Sequence, residues 1–346
     1  MDTIPIELLR DILSRCSEYA PVFKETCYEW NQILSNTSIS KVVLSFEQMA
    51  ECGHIDLLEY IEKGKIGEKR IPNILRHAAK EGRSNIMHLA KKWGATNYDE
   101  ALEYAAKNGQ IPAMLVLKEW GATNYNEALT YAATRGQVLA MHLLKEWGAT
   151  NYDDALVYAA KNGQIPAMLV LKEWGATQYN WVLEYAAKNG QIPAMRLLKE
   201  WGATEYDDAL DNASRSGQIL AMHLLKEWGA TDYNWALVYA AETAQIPAMH
   251  LLKEWGAIEY NWALTNAAMN GQITAMSLLK EWGATNYNEA LRYASINVQI
   301  PAMQLLKEWG ATNYDDALNN VTERGHIPTM NLAVSIIGQY ITRLTS

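Results

Sequence analysis

From residue 97 onward the apolar and polar positions fall into one pattern that returns without change of register. In the stretch 97–123, NYDEALEYAAKNGQIPAMLVLKEWGAT, Ala101, Leu102, Ala105 and Ala106 stand at i, i+1, i+4 and i+5, the stripe of a short amphipathic helix. Ala113, Met114, Val116, Leu117 and Trp120 then cover most of a second helix, which is therefore predicted to be the more buried of the two. Asn108-Gly109 separates the pair, with Gly109 suited to the left-handed position after a helix. Pro112 fits the first turn of the second helix, where a missing N–H costs nothing, and Gly121 stops it. Asp99 and its copies, always Asp or Asn, precede the first apolar residue and are predicted to be N-caps. No β-branched alternation interrupts the unit, so no strand is expected.

The unit is a true repeat. Trp-Gly recurs every 27 residues, at Trp93, Trp120, Trp147, Trp174, Trp201, Trp228, Trp255, Trp282 and Trp309. A fixed period of this length implies one supersecondary unit copied end to end, burying its apolar face only against its neighbours. The regular tryptophans are accordingly expected to mark a buried seam. The string A-L-x-x-A-A-x-x-G-x-x-x-x-M-x-x-L-x-x-x-G-A, as in 101–122, resembles the two helices of an ankyrin repeat. About six residues of that family's 33-residue unit are missing from each copy, where its β-turn finger would stand. The resemblance therefore implies an all-α solenoid of stacked helix-turn-helix, hairpin-less repeats, covering roughly residues 72 to 327. A fainter first copy is expected around Ala50, Gly53, His54, Leu57 and Leu58.

The first forty residues differ. Pro5 opens an amphipathic segment with Leu8, Leu9, Ile12 and Leu13 on one face, and Phe23, Cys27, Trp30 and Ile33 form a second stripe. IPIELLRDILSRC followed by CYEW resembles an F-box, although Thr26 and Tyr28 depart from that pattern. The resemblance implies a Skp1-like adaptor as partner, docked through Ile4, Pro5, Leu8, Leu9, Ile12, Leu13 and Trp30, in a cullin-type ubiquitin ligase. The other reading of the segment is a helical cap shielding the first repeat from solvent. The expected organisation is an F-box-like segment at 1–40, a connector with the degenerate repeat at 41–71, regular repeats at 72–312, and a last repeat with terminal cap at 313–346. An F-box joined to near-identical repeats resembles proteins of large DNA viruses that redirect host ubiquitination.

Composition narrows the chemistry. A formal net charge of -9 argues against a nucleic-acid partner, because phosphate binding needs clustered Lys and Arg. Cys16, Cys27 and Cys52 fit no zinc or disulfide framework, pointing to a reducing, intracellular and cytoplasmic setting, the host cytoplasm for a viral chain. No secretory leader or membrane-length apolar run is seen, so no membrane partner is expected. His88, His142, His223 and His250 share one register of the second helix, a full repeat spacing or more apart, too far to share a metal, and read as rim histidines. Neither a phosphate-cradling glycine loop nor a nucleophile beside a base is present, so no catalytic, cofactor-binding or metal residue is expected.

Comparing copies within the chain shows where they differ. The positions of Glu100, Glu103 and Lys107 vary most, and their spacing puts them on one face of the first helix. There Trp181, Trp235 and Trp262 replace acidic residues, and Val238, Met269 and Ile296 replace polar ones. This row is the expected partner-binding surface for a protein target. Alternatively, each of these tryptophans lies flat over the adjacent loop and extends the core. The functional expectation is a non-catalytic protein–protein interaction module, an F-box-type substrate receptor. The alternative is a structural or assembly scaffold, viral on that resemblance, in which the amino-terminal helices only cap the solenoid.

Overall fold

A computed structural model describes residues 70–313, together with 46–53, 55, 58 and 317. Among these described residues every regular element is a helix, nineteen in all. Each 27-residue copy forms a first helix beginning at its tyrosine, as in Tyr98–Lys107, and, after three intervening residues, a second, as in Ile111–Glu119. Residues 120–124 then lead directly into Tyr125–Thr134, leaving no room for a projecting hairpin. The chain divides into two compact units, residues 1–159 with 166–176, and residues 160–165 with 177–346. Within each unit the first helices pack against one another in sequence order, and each second helix packs on the first helix of its own copy.

That arrangement reverses one expectation. The first helix is the more buried of the pair, because it has neighbours on both sides. Ala101, Leu102, Ala105 and Ala106 are all sealed from solvent, whereas Ile111–Glu119 buries only Ala113, Met114 and Leu117 and leaves Leu115 exposed. The alanines make this possible, since a side chain of one carbon lets helix backbones approach closely. A larger residue in the row would force the first helices apart and strain the close-packed interior.

The invariant Asp/Asn position also behaves differently from a local cap. Asp99 lies inside its own helix, and its Oδ1 accepts from the backbone N–H of Thr123 and Asn124 in the next copy, at 2.6 and 2.9 Å. Asn126, Asn180, Asp207, Asn234, Asn261 and Asn288 repeat this, always on residues 24 and 25 positions on. Each copy thus holds the N–H groups of the loop that leads into its successor's first helix, a helix which in most copies has no side-chain cap of its own. Short acceptors are required because the oxygen has to reach both N–H groups from one Cβ. That need, rather than capping within the copy, explains why only Asp and Asn occur.

The remaining punctuation falls where the sequence puts it. Gly109 adopts φ +68°, and a Cβ there would collide with Oε1 of Gln137, brought across from the next copy. Two copies lack this glycine, leaving Ala244 and Val298 at φ 54° and 55°. Pro112 occupies the first turn of its helix, and Gly229 closes Ile219–Trp228 in the left-handed region. Where a faint first copy is expected, Phe46–Cys52 packs on Ile71–Lys80, with Met49, Ala50 and Leu58 buried; His54 and Leu57 lie outside the described residues. Glu51 accepts from Lys80 at 2.8 Å, and this hydrogen bond holds its carboxyl below the usual range.

The regular tryptophans are half-buried rather than sealed in a seam, Trp93 excepted. Seven of them instead stack under the lysine of the preceding copy, as with Lys226 Nζ 4.5 Å from the Trp255 ring centroid and Lys253 at the same distance from Trp282. The tyrosine opening the copy meets its tryptophan, Tyr233 lying 5.5 Å from Trp255. Such cation–π contacts contribute roughly 0.5–1 kcal/mol each at exposed sites, and they explain why the lysine is as regular as the tryptophan. His223 and His250 are exposed and stand edge-on to Trp255 and Trp282.

Candidate protein-interaction face

The face on which copies differ is presented by the first helices Tyr179–Lys188, Tyr206–Arg215, Tyr233–Glu242 and Tyr260–Met269, all in the second unit. Their alanine and leucine positions point inward, so the residue two places after each opening tyrosine is turned out. In three copies that residue is Trp181, Trp235 or Trp262, exposed by 39%, 51% and 50%. Trp181 stands edge-on to Tyr185 at 5.6 Å, and Trp235 leans toward Tyr239 at 6.2 Å.

Trp235 and Trp262 line one pocket of about 320 Å³ together with Asp232, Asn234, Val238 and Glu259. Val238, expected on the outer face, is buried at 3% exposure and forms the apolar wall behind the indoles. Met269 and Ile296 are half-buried, on the last turns of Tyr260–Met269 and Tyr287–Ile296, and line neither this pocket nor the next. Asp232 also accepts from the Trp235 backbone N–H at 3.3 Å, capping the helix that carries the indole.

A second pocket of about 370 Å³ is lined by Glu184, Asp208, Asp211, Asn212, Arg215 and Tyr239. Its charge is unbalanced. Burial pushes the Asp211 carboxyl up to about 8, with Asp232, Asp208 and Asp207 adding to the effect and Arg215 opposing it. Asp211 Oδ1 is buried without a hydrogen-bond partner. Burial, then Asp208 and Glu205, raise Glu184 as well, although Asn212 donates to it at 3.2 Å. Arg215 is already engaged, 3.1 Å from Glu242 and 4.1 Å above the Tyr239 ring. Carboxylate oxygens of Glu184, Glu205 and Asp208 lie within 4.8 Å of one another, an arrangement that attracts any cation.

In the first unit the same face has Glu100, Glu127 and Asp154 in place of tryptophan, beside the tyrosines Tyr104, Tyr131 and Tyr158. Burial raises the Glu103 carboxyl, and Glu127, Glu100 and Asp99 raise it further. Copy-to-copy comparison finds the tryptophans but passes over Asp211, Asp232, Glu259 and Ile258, the last 70% exposed in place of a threonine. Their signal was present: Glu205, Asp232 and Glu259 stand in succession where most copies carry Asn. The amino-terminal set Ile4, Pro5, Leu8, Leu9, Ile12, Leu13 and Trp30 lies outside the described residues, as does the terminal cap beyond residue 317.

No helix among the described residues is long and apolar enough to cross a membrane. No protein-family model matches the chain, and no curated protein matches it. Among solved structures, the chain is similar to the ankyrin repeat domain of human ASB11, at 22% identity and a TM-score of 0.40. That alignment covers 51% of this chain and 96% of the other.

Proposed function

We propose that this protein is a non-catalytic protein–protein interaction module that acts as an F-box-type substrate receptor. The first-helix face of residues 179–269 holds a target protein, and the amino-terminal segment docks a Skp1-like adaptor of a cullin-type ubiquitin ligase. The observation that carries the target-binding half is the exposure of Trp181, Trp235 and Trp262, at 39–51%, on a face the fold does not need for its own packing. Completing the burial of one large aromatic contributes on the order of 1–3 kcal/mol, and tryptophan is the residue most enriched among interface anchors. The adaptor half is supported by the match of Ile4, Pro5, Leu8, Leu9, Ile12, Leu13 and Trp30 to the F-box pattern.

The two halves are tested separately. Purified full-length chain mixed with Skp1 is expected to co-elute on size exclusion, and Leu8→Asp with Leu9→Asp to abolish this. Soluble wild-type chain that never co-elutes overturns the receptor role. For the target, affinity purification with wild type is compared with a Trp181→Glu, Trp235→Glu, Trp262→Glu variant. Selective loss of a prey supports the face, and an unchanged prey list removes it.

A further inference from the structure

The tryptophan pocket and the carboxylate pocket lie side by side on neighbouring first helices of one unit. Their linings alternate aromatic and acidic groups. Glu205, Asp232 and Glu259 occupy one register, each exposed at the entrance to its first helix, so successive carboxylates stand one repeat apart. Packed helices are spaced about 8–10 Å, and an extended chain of polyproline II geometry advances about 3.1 Å per residue with three residues per turn, so that every third side chain returns to one face. One repeat therefore matches three residues of an extended segment.

Among the described residues, Lys199, Lys226 and Lys253 of the second helices are stacked on Trp228, Trp255 and Trp282, and the first helices themselves supply little countercharge. Of the cationic side chains on these four helices, Arg215 is bridged to Glu242 and stacked on Tyr239, and Lys188 is exposed at the end of Tyr179–Lys188. Against them stand Glu184, Asp208 and the three carboxylates of the ladder. Between Trp235 and Trp262 an entering side chain meets two indole faces and the wall of Val238, with Asp232 and Glu259 at the rim. A guanidinium on an aliphatic stem satisfies every one of these surfaces: methylenes on the apolar wall, the cation over an indole, and charge-assisted hydrogen bonds to the carboxylates. A neutral apolar side chain would leave the carboxylates facing it desolvated and unpaired, and an acidic one would be repelled.

We infer that the target segment held by this face is basic and extended, with arginine or lysine recurring at every third residue in step with Glu205, Asp232 and Glu259. This inference rests on the target-binding reading above and adds the chemistry of the partner.

Fluorescence anisotropy with labelled twelve-residue peptides and the full chain tests it. The probes are Arg-Leu-Ser repeated four times, the same composition with its arginines contiguous, and Glu-Leu-Ser repeated four times. The periodic basic peptide is expected to bind at least tenfold tighter than the acidic one and measurably tighter than the clustered one. Its affinity should fall at least tenfold in Trp235→Ala, Trp262→Ala, and fall again as salt rises from 50 to 300 mM. Both indoles are half in water, so this variant keeps its fold, checked by its helical circular dichroism. Equal binding of acidic and basic peptides, equal binding to wild type and variant, or a preference for clustered arginine overturns the inference. If affinity purification still shows tryptophan-dependent prey whose bound segment maps to an acidic or neutral stretch, the inference falls while target binding by this face stands. Prey indifferent to the tryptophans removes both.

Discussion

Asp211 is held at an unusual point of its titration by its surroundings. Unfolded, its carboxyl ionises at its ordinary value near 3.8; folded, burial beside Asp232, Asp208 and Asp207 delays this to about 8, despite Arg215. Between those values the folded chain carries a proton that the unfolded chain has lost, so this residue makes stability fall as pH rises. Below the window the two states are equally protonated and the penalty is absent; above it the penalty is complete. Asp211→Asn keeps the shape and removes the titration. Its urea midpoint is expected to match wild type near pH 4 and to exceed it increasingly up to about pH 8, and a pH-independent difference would refute the assignment. The sequence did not reveal this residue, because position 211 is conspicuous only once neighbouring copies stack carboxylates around it. Gly109 and Pro112 were legible for the opposite reason: their constraints lie within their own backbone.

At the scale of the element, the helix pair is specified twice over, by its apolar stripe and by what ends each helix. The stripe located both helices but misjudged which is deeper, since apolar count measures what a helix can bury and not how many neighbours it has. Leu115 shows the difference, exposed on a helix with little besides its own partner to cover it. The tryptophans were misplaced similarly: regularity signalled a structural role, but the stacked lysine belongs to another copy. The turn between the helices offers a direct check, because Ala244 holds a left-handed φ of 54° where most copies have glycine. Ala244→Gly is expected to stabilise the chain by about 0.5–1 kcal/mol, the strain relieved less the flexibility added to the unfolded chain. A lower midpoint in thermal or urea unfolding would show that the alanine is not strained.

For the whole molecule, the governing fact is that bonds run from each copy to the next. In an array with nearest-neighbour coupling a local defect weakens its surroundings rather than the entire chain. Asn261→Ala removes the acceptor for the N–H groups of Thr285 and Asn286, and losing such a hydrogen bond costs roughly 0.5–1.5 kcal/mol. Hydrogen exchange should quicken in residues 260–313 and stay unchanged in 98–134, with Asn261→Asp close to wild type because Asp207 makes the same bonds. Uniform quickening along the chain would contradict nearest-neighbour coupling. The long-range partners of these side chains, 24 and 25 residues away, are what the sequence could not display; it announced the period and left the pairing to be seen.

The clamp from Asp or Asn to the following loop has one more consequence. Its outgoing acceptor and incoming donors are alike from copy to copy, so a unit cut out or inserted at the 27-residue register rejoins with this clamp made. The array is a tiling with a single kind of edge, in which copy number can drift by recombination without a folding barrier. Side chains on the outer face are no part of this clamp, and each inserted tile brings its own, so the length and the lettering of the binding surface can change in one genetic step.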